Sequence, residues 1–120
     1  MASTPIEYTP AFNVTVKANE ALAAGTLVAI SGEAVDRCPV VAKAAAGKPV
    51  FGVVAQDAAK DAFVTVYRAG VYEILAENGV TAGDAVEVAA GKAKKSAGTN
   101  PVIGIAVSKT AAGRALVALK

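Results

Sequence analysis

The side chains able to do chemistry are few, and their spacing organises none of them. Asp57 and Asp61 stand at i and i+4 around Lys60, but paired carboxylates for acid/base work need a substrate cleft, and nothing aromatic lines one. They read as solvated charges on a hairpin loop. Ala46-Gly47-Lys48-Pro49 contains Gly-Lys without the upstream glycine and the Ser/Thr of a phosphate-binding loop. Ser31 before Gly32 is not the Gly-x-Ser-x-Gly of a nucleophile turn and reads as a two-residue hairpin turn. Cys38 is the single cysteine, which excludes an intrachain disulfide, a CxxC redox pair and a thiolate zinc cluster; beside Pro39 it reads as a small buried hydrophobe. With no histidine in the chain, the commonest general base and commonest metal ligand are both missing. The expectation is a structural or binding module, not an enzyme, with no catalytic, cofactor or metal residues.

Any such module must be built from small parts. Of 120 residues, 29 are Ala and 18 are Val, six are aromatic and none is Trp. One domain of this length buries roughly two-thirds of its unfolded surface, here with thin layers that partner subunits can complete. No apolar run reaches the roughly 18 residues of a membrane span, and Met-Ala-Ser-Thr-Pro lacks the basic and apolar regions of a signal peptide, so a soluble protein made in a cytoplasm is expected. The net charge of +2 hides an asymmetry: all ten acidic residues lie in 1–88, whereas 89–120 carry Lys92, Lys94, Lys95, Lys109, Arg114 and Lys120 with no acid. That basic segment has no aromatic residue for base stacking. A solvated face or an acidic protein surface therefore suits it better than nucleic acid, and neither nucleic acid nor membrane is an expected partner.

The elements that would position these surfaces are strands. Phe12–Lys17 alternates apolar and polar residues, as do parts of Phe63–Arg68 and Ala85–Val88, the pattern of half-buried strands. Thr26–Ile30, Val50–Val54, Val71–Leu75, Val102–Val107 and Ala115–Leu119 are short Val/Ile/Leu runs closed by Gly, Pro, Asn or Lys, which suits strands buried on both faces. Breakers every eight to twelve residues describe an all-β sandwich or barrel. The Ala clusters 42–46 and 55–62 are too short for normal helices and read as loops with at most a turn of helix. Lys92–Lys95 reads as loop.

A repeat is visible. Leu22-Ala-Ala-Gly-Thr-Leu-Val28 resembles Val80-Thr-Ala-Gly-Asp-Ala-Val86, and Pro49-Val-Phe-Gly-Val-Val54 resembles Pro101-Val-Ile-Gly-Ile-Ala106. Each Pro-Val-x-Gly segment is followed by an Ala-rich loop and a last strand, Asp61–Val66 or Arg114–Leu119. Two half-domains of roughly four strands each are expected within a single β domain, 12–120. Gly52 and Gly104, inside strand patterns, mark bulges or close backbone approach. Residues 1–11 differ: Pro5 and Pro10 interrupt ladder pairing, while Ile6 and Tyr8 share one face of an extended segment. They read as an arm able to add to a partner's sheet edge.

Pro49-Val-Phe-Gly-Val-Val-Ala-Gln-Asp-Ala-Ala-Lys-Asp-Ala-Phe-Val-Thr-Val-Tyr-Arg-Ala-Gly-Val-Tyr72 resembles the central signature of head decoration, or capsid cement, proteins of tailed bacteriophages. In these a Gly-(Val/Ile)-(Leu/Val)-Ala strand, a polar loop and a (Phe/Val)-Tyr-(Lys/Arg)-x-Gly-x-(Phe/Tyr) hairpin follow in order. Pro101–Leu119 resembles the C-terminus of a phage-encoded family of the same kind. The resemblance implies a β-sandwich or β-barrel of the β-tulip type, forming homotrimers on the outer surface of the virion's capsid. There the trimers bridge capsomers of the major capsid protein after the head has expanded and hold it against packaged DNA. On that footing Pro5, Ile6, Tyr8 and Phe12 are the expected capsid-binding residues. Lys92, Lys94, Lys95, Lys109 and Arg114 form the expected basic contact surface. The alternative is a carbohydrate- or surface-binding β-sandwich, which would display aromatic platforms; most of the six aromatics fall in strand patterns that place them in the core.

Overall fold

The computed structural model describes residues 13–119, and within them there is no helix. Ten strands follow one another: β1 Asn13–Ala18, β2 Leu27–Val35, β3 Cys38–Lys43, β4 Gly52–Val54, β5 Phe63–Tyr67, β6 Gly70–Leu75, β7 Ala85–Ala89, β8 Lys92–Lys95, β9 Gly104–Ala106 and β10 Arg114–Leu119. The fold is all-β, as the alternation and breaker spacing require. The first five strands close a barrel in the order β1-β3-β2-β4-β5, and the last five form a sheet in the order β6-β10-β9-β7-β8. These are one cyclic order used twice. Each half has five strands where the sequence pattern indicated four, because β3 and β8, the second arms of two tight hairpins, lack an apolar run long enough to stand out.

The duplication extends to single hydrogen bonds. Gly25 N–H donates to Val54 O at 2.9 Å and Gly83 N–H to Ala106 O at 2.8 Å. Asn19 N–H donates to Val41 O and Glu77 N–H to Ala93 O, at 2.8 and 2.9 Å. Ala44 N–H donates to Leu27 O, and Ser96 N–H to Ala85 O, at 3.0 and 2.9 Å. The interior follows the same register. Val14, Val16, Ala18, Leu22, Val28, Val41, Val54, Val64 and Val66 fill the barrel. Their counterparts Tyr72, Ile74, Ala76, Val80, Val86, Ala93, Ala106, Ala115 and Val117 line the second unit. Gly52 and Gly104 are counterparts too. A Cβ at Gly52 would collide with Tyr67 O, and one at Gly104 with Ala118 O, so both glycines mark the close backbone approach expected of them.

The two units differ in how they close. In the first, β1 pairs with β3 in parallel, Lys17 opposite Val40 and Ala18 opposite Val41. In the second, β6 and β8 meet only at the single parallel bridge Ala76–Ala93. Leu75 N–H, the counterpart of Lys17, turns instead to Gly25 O at 3.0 Å; Leu27 N–H donates to Gly91 O at 2.8 Å, and Gly91 N–H to Ala44 O at 2.9 Å. The rim of the first barrel thus wedges between β6 and β8 and completes the second. Gly91 lies at φ +78°, and a Cβ there would come within 2.8 Å of Thr26, so this tip must be glycine. Leu27, Ala44 and Val53 of the first unit are buried in the same cluster as the second unit's interior.

Three local readings are corrected by the structure. Ser31-Gly32 is not a turn: both lie within β2, where the pairing with β3 shifts register on either side of Gly32. The β2–β3 turn is Asp36-Arg37, with φ 48° and 67°, both in the left-handed region that a two-residue primed turn requires. Asp36 tolerates it through its short polar side chain. Lys92–Lys95 is strand β8, paired with β7, not loop. Cys38 opens β3 opposite Val35 and is half-buried rather than buried.

Candidate binding surfaces

Three exposed features could meet a partner. The first is the β2–β3 hairpin. Its strands have 9 and 6 residues, against 5 and 4 in the corresponding β7–β8 hairpin. The turns are both two residues long, so the extra length projects about 10 Å at the rise of an extended strand. Every residue from Ser31 to Arg37 is exposed, and Ile30 and Val35 are exposed apolar side chains upon it.

The second is the outer face of the second sheet. Val71, Ala118, Ile105 and Ala85 stand opposite one another across β6, β10, β9 and β7. Leu116 and Val107 extend the row, and Val71, Ile105, Val107 and Leu116 are all exposed. Scattered surface apolar residues are ordinary, but a contiguous patch marks a contact site.

The third is a groove between β2, β3 and the Lys48–Phe51 segment, lined by Ile30, Lys43, Lys48, Val50, Phe51 and Arg68. Arg68 spans it, its guanidinium 4.6 Å over the Phe51 ring and its Nε donating to Phe51 O at 3.0 Å. No group of three or more metal-ligating side chains gathers among the described residues.

The basic residues separate into two kinds. Lys92, Lys95 and Lys109 are exposed. Lys94 is engaged within the chain, with Nζ 3.3 Å from Glu87 Oε1. Among the described residues Glu87 is the one buried charged side chain; it also accepts Ala97 N–H and Asn100 Nδ2, each at 3.3 Å. Burial opposes its ionisation, but those two hydrogen bonds and the Lys94 ammonium outweigh it and hold its carboxyl below the usual range. Arg114 is engaged as well: Nη2 donates to Ala24 O at 3.1 Å, and the guanidinium packs against Gly25, tying β10 to the wedge. Sequence reasoning could not separate these two from the exposed lysines, because their partners lie in a neighbouring strand and in the other unit.

Of Asp57 and Asp61, the first holds backbone and the second pairs with a lysine. Asp57 Oδ1 accepts Ala24 N–H at 2.8 Å, and Asp61 lies 4.0 Å from Lys17 Nζ. Among the described aromatics Phe51, Tyr67 and Tyr72 are partly buried and pack against the core, and Phe63 alone departs from it. Tyr67 and Tyr72 stack on each other at 5.1 Å, and Phe63 is 61% exposed. Pro5, Ile6, Tyr8 and Phe12 lie outside the described residues. No helix of the described residues is long and apolar enough to cross a membrane.

With this geometry in view, comparison with known proteins is informative. Residues 6–120 match the family model of the phage cement protein. No curated protein matches the chain. Among solved structures, the crystal structure of the head fiber gp8.5 N base in bacteriophage phi29 is similar, with a TM-score of 0.75 and 21% identity over 90% of this chain and 92% of that one. At that identity the likeness is one of fold, and it spans both units. The match over nearly the whole chain carries the assignment: this protein belongs to the phage cement protein family and is a capsid-associated structural protein of the phage head.

Proposed function

We propose that this protein binds the outer surface of the expanded phage head as a homotrimer and bridges neighbouring capsomers, stabilising the shell against the packaged DNA. The family match over residues 6–120 supports this reading more than any other observation. The physical logic is linkage: a subunit that binds only the expanded shell stabilises that state in proportion to its occupancy, and three copies of one modest contact add as avidity. Pro5, Ile6, Tyr8 and Phe12 supply the apolar and extended part of the shell contact. Lys92, Lys95 and Lys109 supply a basic part directed at acidic shell surface, with Lys94 and Arg114 serving the subunit's own architecture. The carbohydrate-binding alternative is disfavoured by Tyr67 and Tyr72, which spend their faces on each other, and by Phe51, which is capped by Arg68.

The test is co-sedimentation with expanded, decoration-free heads. Deleting residues 2–11 is expected to abolish binding with the β units still folded; wild-type occupancy by the truncated chain would refute the role given to the arm. Raising salt from 50 to 500 mM is expected to weaken binding of the full chain, and salt-independent binding would remove the basic contact from the reading.

A further inference from the structure

The chain contains its own answer to what covers the outer face of a unit like this. Across the first unit, Asn13, Tyr67, Val53 and Leu27 stand opposite one another in β1, β5, β4 and β2. Their counterparts in the second unit, through the register described above, are Val71, Ala118, Ile105 and Ala85. Most of the first row is covered: Leu27 and Val53 are 0% and 2% exposed, in one cluster with Ile74, Ala76 and Val86 of the second unit, and Tyr67 is half-buried against it, whereas Asn13 at the end of the row stays exposed. The second row is bare, with Val71 56% and Ile105 54% exposed.

The polar groups of the two rims also correspond. Leu27 N–H and Ala44 O receive the Gly91 tip, whereas among the described residues no turn docks at the corresponding Ala85 and Ser96. A bare apolar wall whose duplicate is buried under a β unit of the same chain has a shape suited to another such unit. The rim beside it carries an exposed acid, Glu73, an exposed base, Lys109, and the partly buried Arg114, whose guanidinium is committed to Ala24 O. It thus mixes both signs and can meet its own kind acid to base, unlike a patch of one sign selected for an acidic shell.

We propose that the outer face of the second sheet, centred on Val71, Ile105 and Leu116, is the surface through which one copy of this chain docks on another. This deepens the homotrimer part of the function proposed above by naming the face that joins the copies. Burying Ile105 and Val71 against a partner supplies the apolar centre that a stable interface needs, with the charged residues left at the rim.

The experiment is the mass of the full chain in solution, without shells, by native mass spectrometry and sedimentation velocity across a hundredfold range of concentration. The wild type is expected to self-associate. Ile105→Asp is expected to weaken association at least tenfold, and Val71→Ser to weaken it less. Phe63→Asp places the same charge at an exposed apolar side chain of the first unit that belongs to none of the three candidate surfaces, 61% exposed, and is expected to leave the mass unchanged. Circular dichroism and thermal midpoints matching wild type for Ile105→Asp and Val71→Ser exclude misfolding as the cause. An oligomeric wild type with an equally oligomeric Ile105→Asp places the interface elsewhere and overturns the inference, leaving the trimer intact. A wild type that is monomeric at every concentration yet coats expanded heads also overturns it, making this face a shell contact; failure to coat heads counts against the proposed function instead.

Discussion

The first unit closes on itself and the second closes on the first. Both use the same strand order, interior positions and turn hydrogen bonds, so the difference cannot come from topology. It comes from two places: β3 is long enough to pair with β1, whereas β8 gives way to the rim formed by Gly25, Leu27 and Ala44. A repeated fold becomes one body here by leaving one copy incomplete. The hydrogen bonds that would have closed the second barrel join the two units, and the outer wall of the first becomes shared core. Small side chains at the joint suit this arrangement, since they let Gly25, Leu27 and Ala44 meet Leu75 and Gly91 backbone to backbone.

The strongest test of the equivalence is at its two tightest points. Gly52→Ala and Gly104→Ala each drive a Cβ into a carbonyl oxygen of the neighbouring strand, and each is expected to cost about 3 kcal/mol, the upper part of the range for overpacking. Urea unfolding midpoints measure both, and a tolerated substitution at only one would break the equivalence. Smaller effects are expected at the joint between units. Arg114→Ala removes a charge-assisted hydrogen bond to Ala24 O and is expected to cost about 1–2 kcal/mol, an allowance for a partly exposed site. Hydrogen exchange should then quicken at Leu75 and Gly91 more than at Val16, which sharpens the view that the joint holds the second unit shut.

The smallest effect at neutral pH is expected from Glu87→Gln, which keeps the shape but not the attraction to Lys94. Here the two units differ in kind, for the counterpart of Glu87 is Ala29. Because the folded Glu87 carboxyl sits below the usual range, its contribution is complete above the unfolded carboxylate range and is lost as pH falls through the lower, folded value. Thermal midpoints of wild type should therefore fall on acidification more steeply than those of Glu87→Gln, and parallel curves would show that Glu87 holds no such role.

Much of this was legible in the sequence, and the exceptions have physical causes. The Ala-Gly turns and the Pro-Val-x-Gly pairs revealed the duplication because each performs a backbone task that tolerates few substitutes: a positive φ at Gly25 and Gly83, and a close carbonyl at Gly52 and Gly104. The strand Lys92–Lys95 was hidden because three of its four residues are lysines, with only Ala93 facing inward. Asp36-Arg37 was passed over as a turn because Ser31-Gly32 has the commoner turn composition. The engaged state of Lys94 and Arg114 depends on partners that only the tertiary fold brings near. Phe63 faces outward at the head of β5, an exception to the core placement that strand patterns suggest for most of the aromatics.

The wedge between β6 and β8 also sets an order in time. Domains emerge from synthesis N-terminal side first, and the first unit needs nothing downstream to complete its ring of pairings. When β6 to β10 follow, the rim of Gly25, Leu27 and Ala44 is already formed as a template on which Leu75 and Gly91 can settle. The reverse order would leave β6 and β8 with unpaired backbone edges, the kind that recruit strands from other chains.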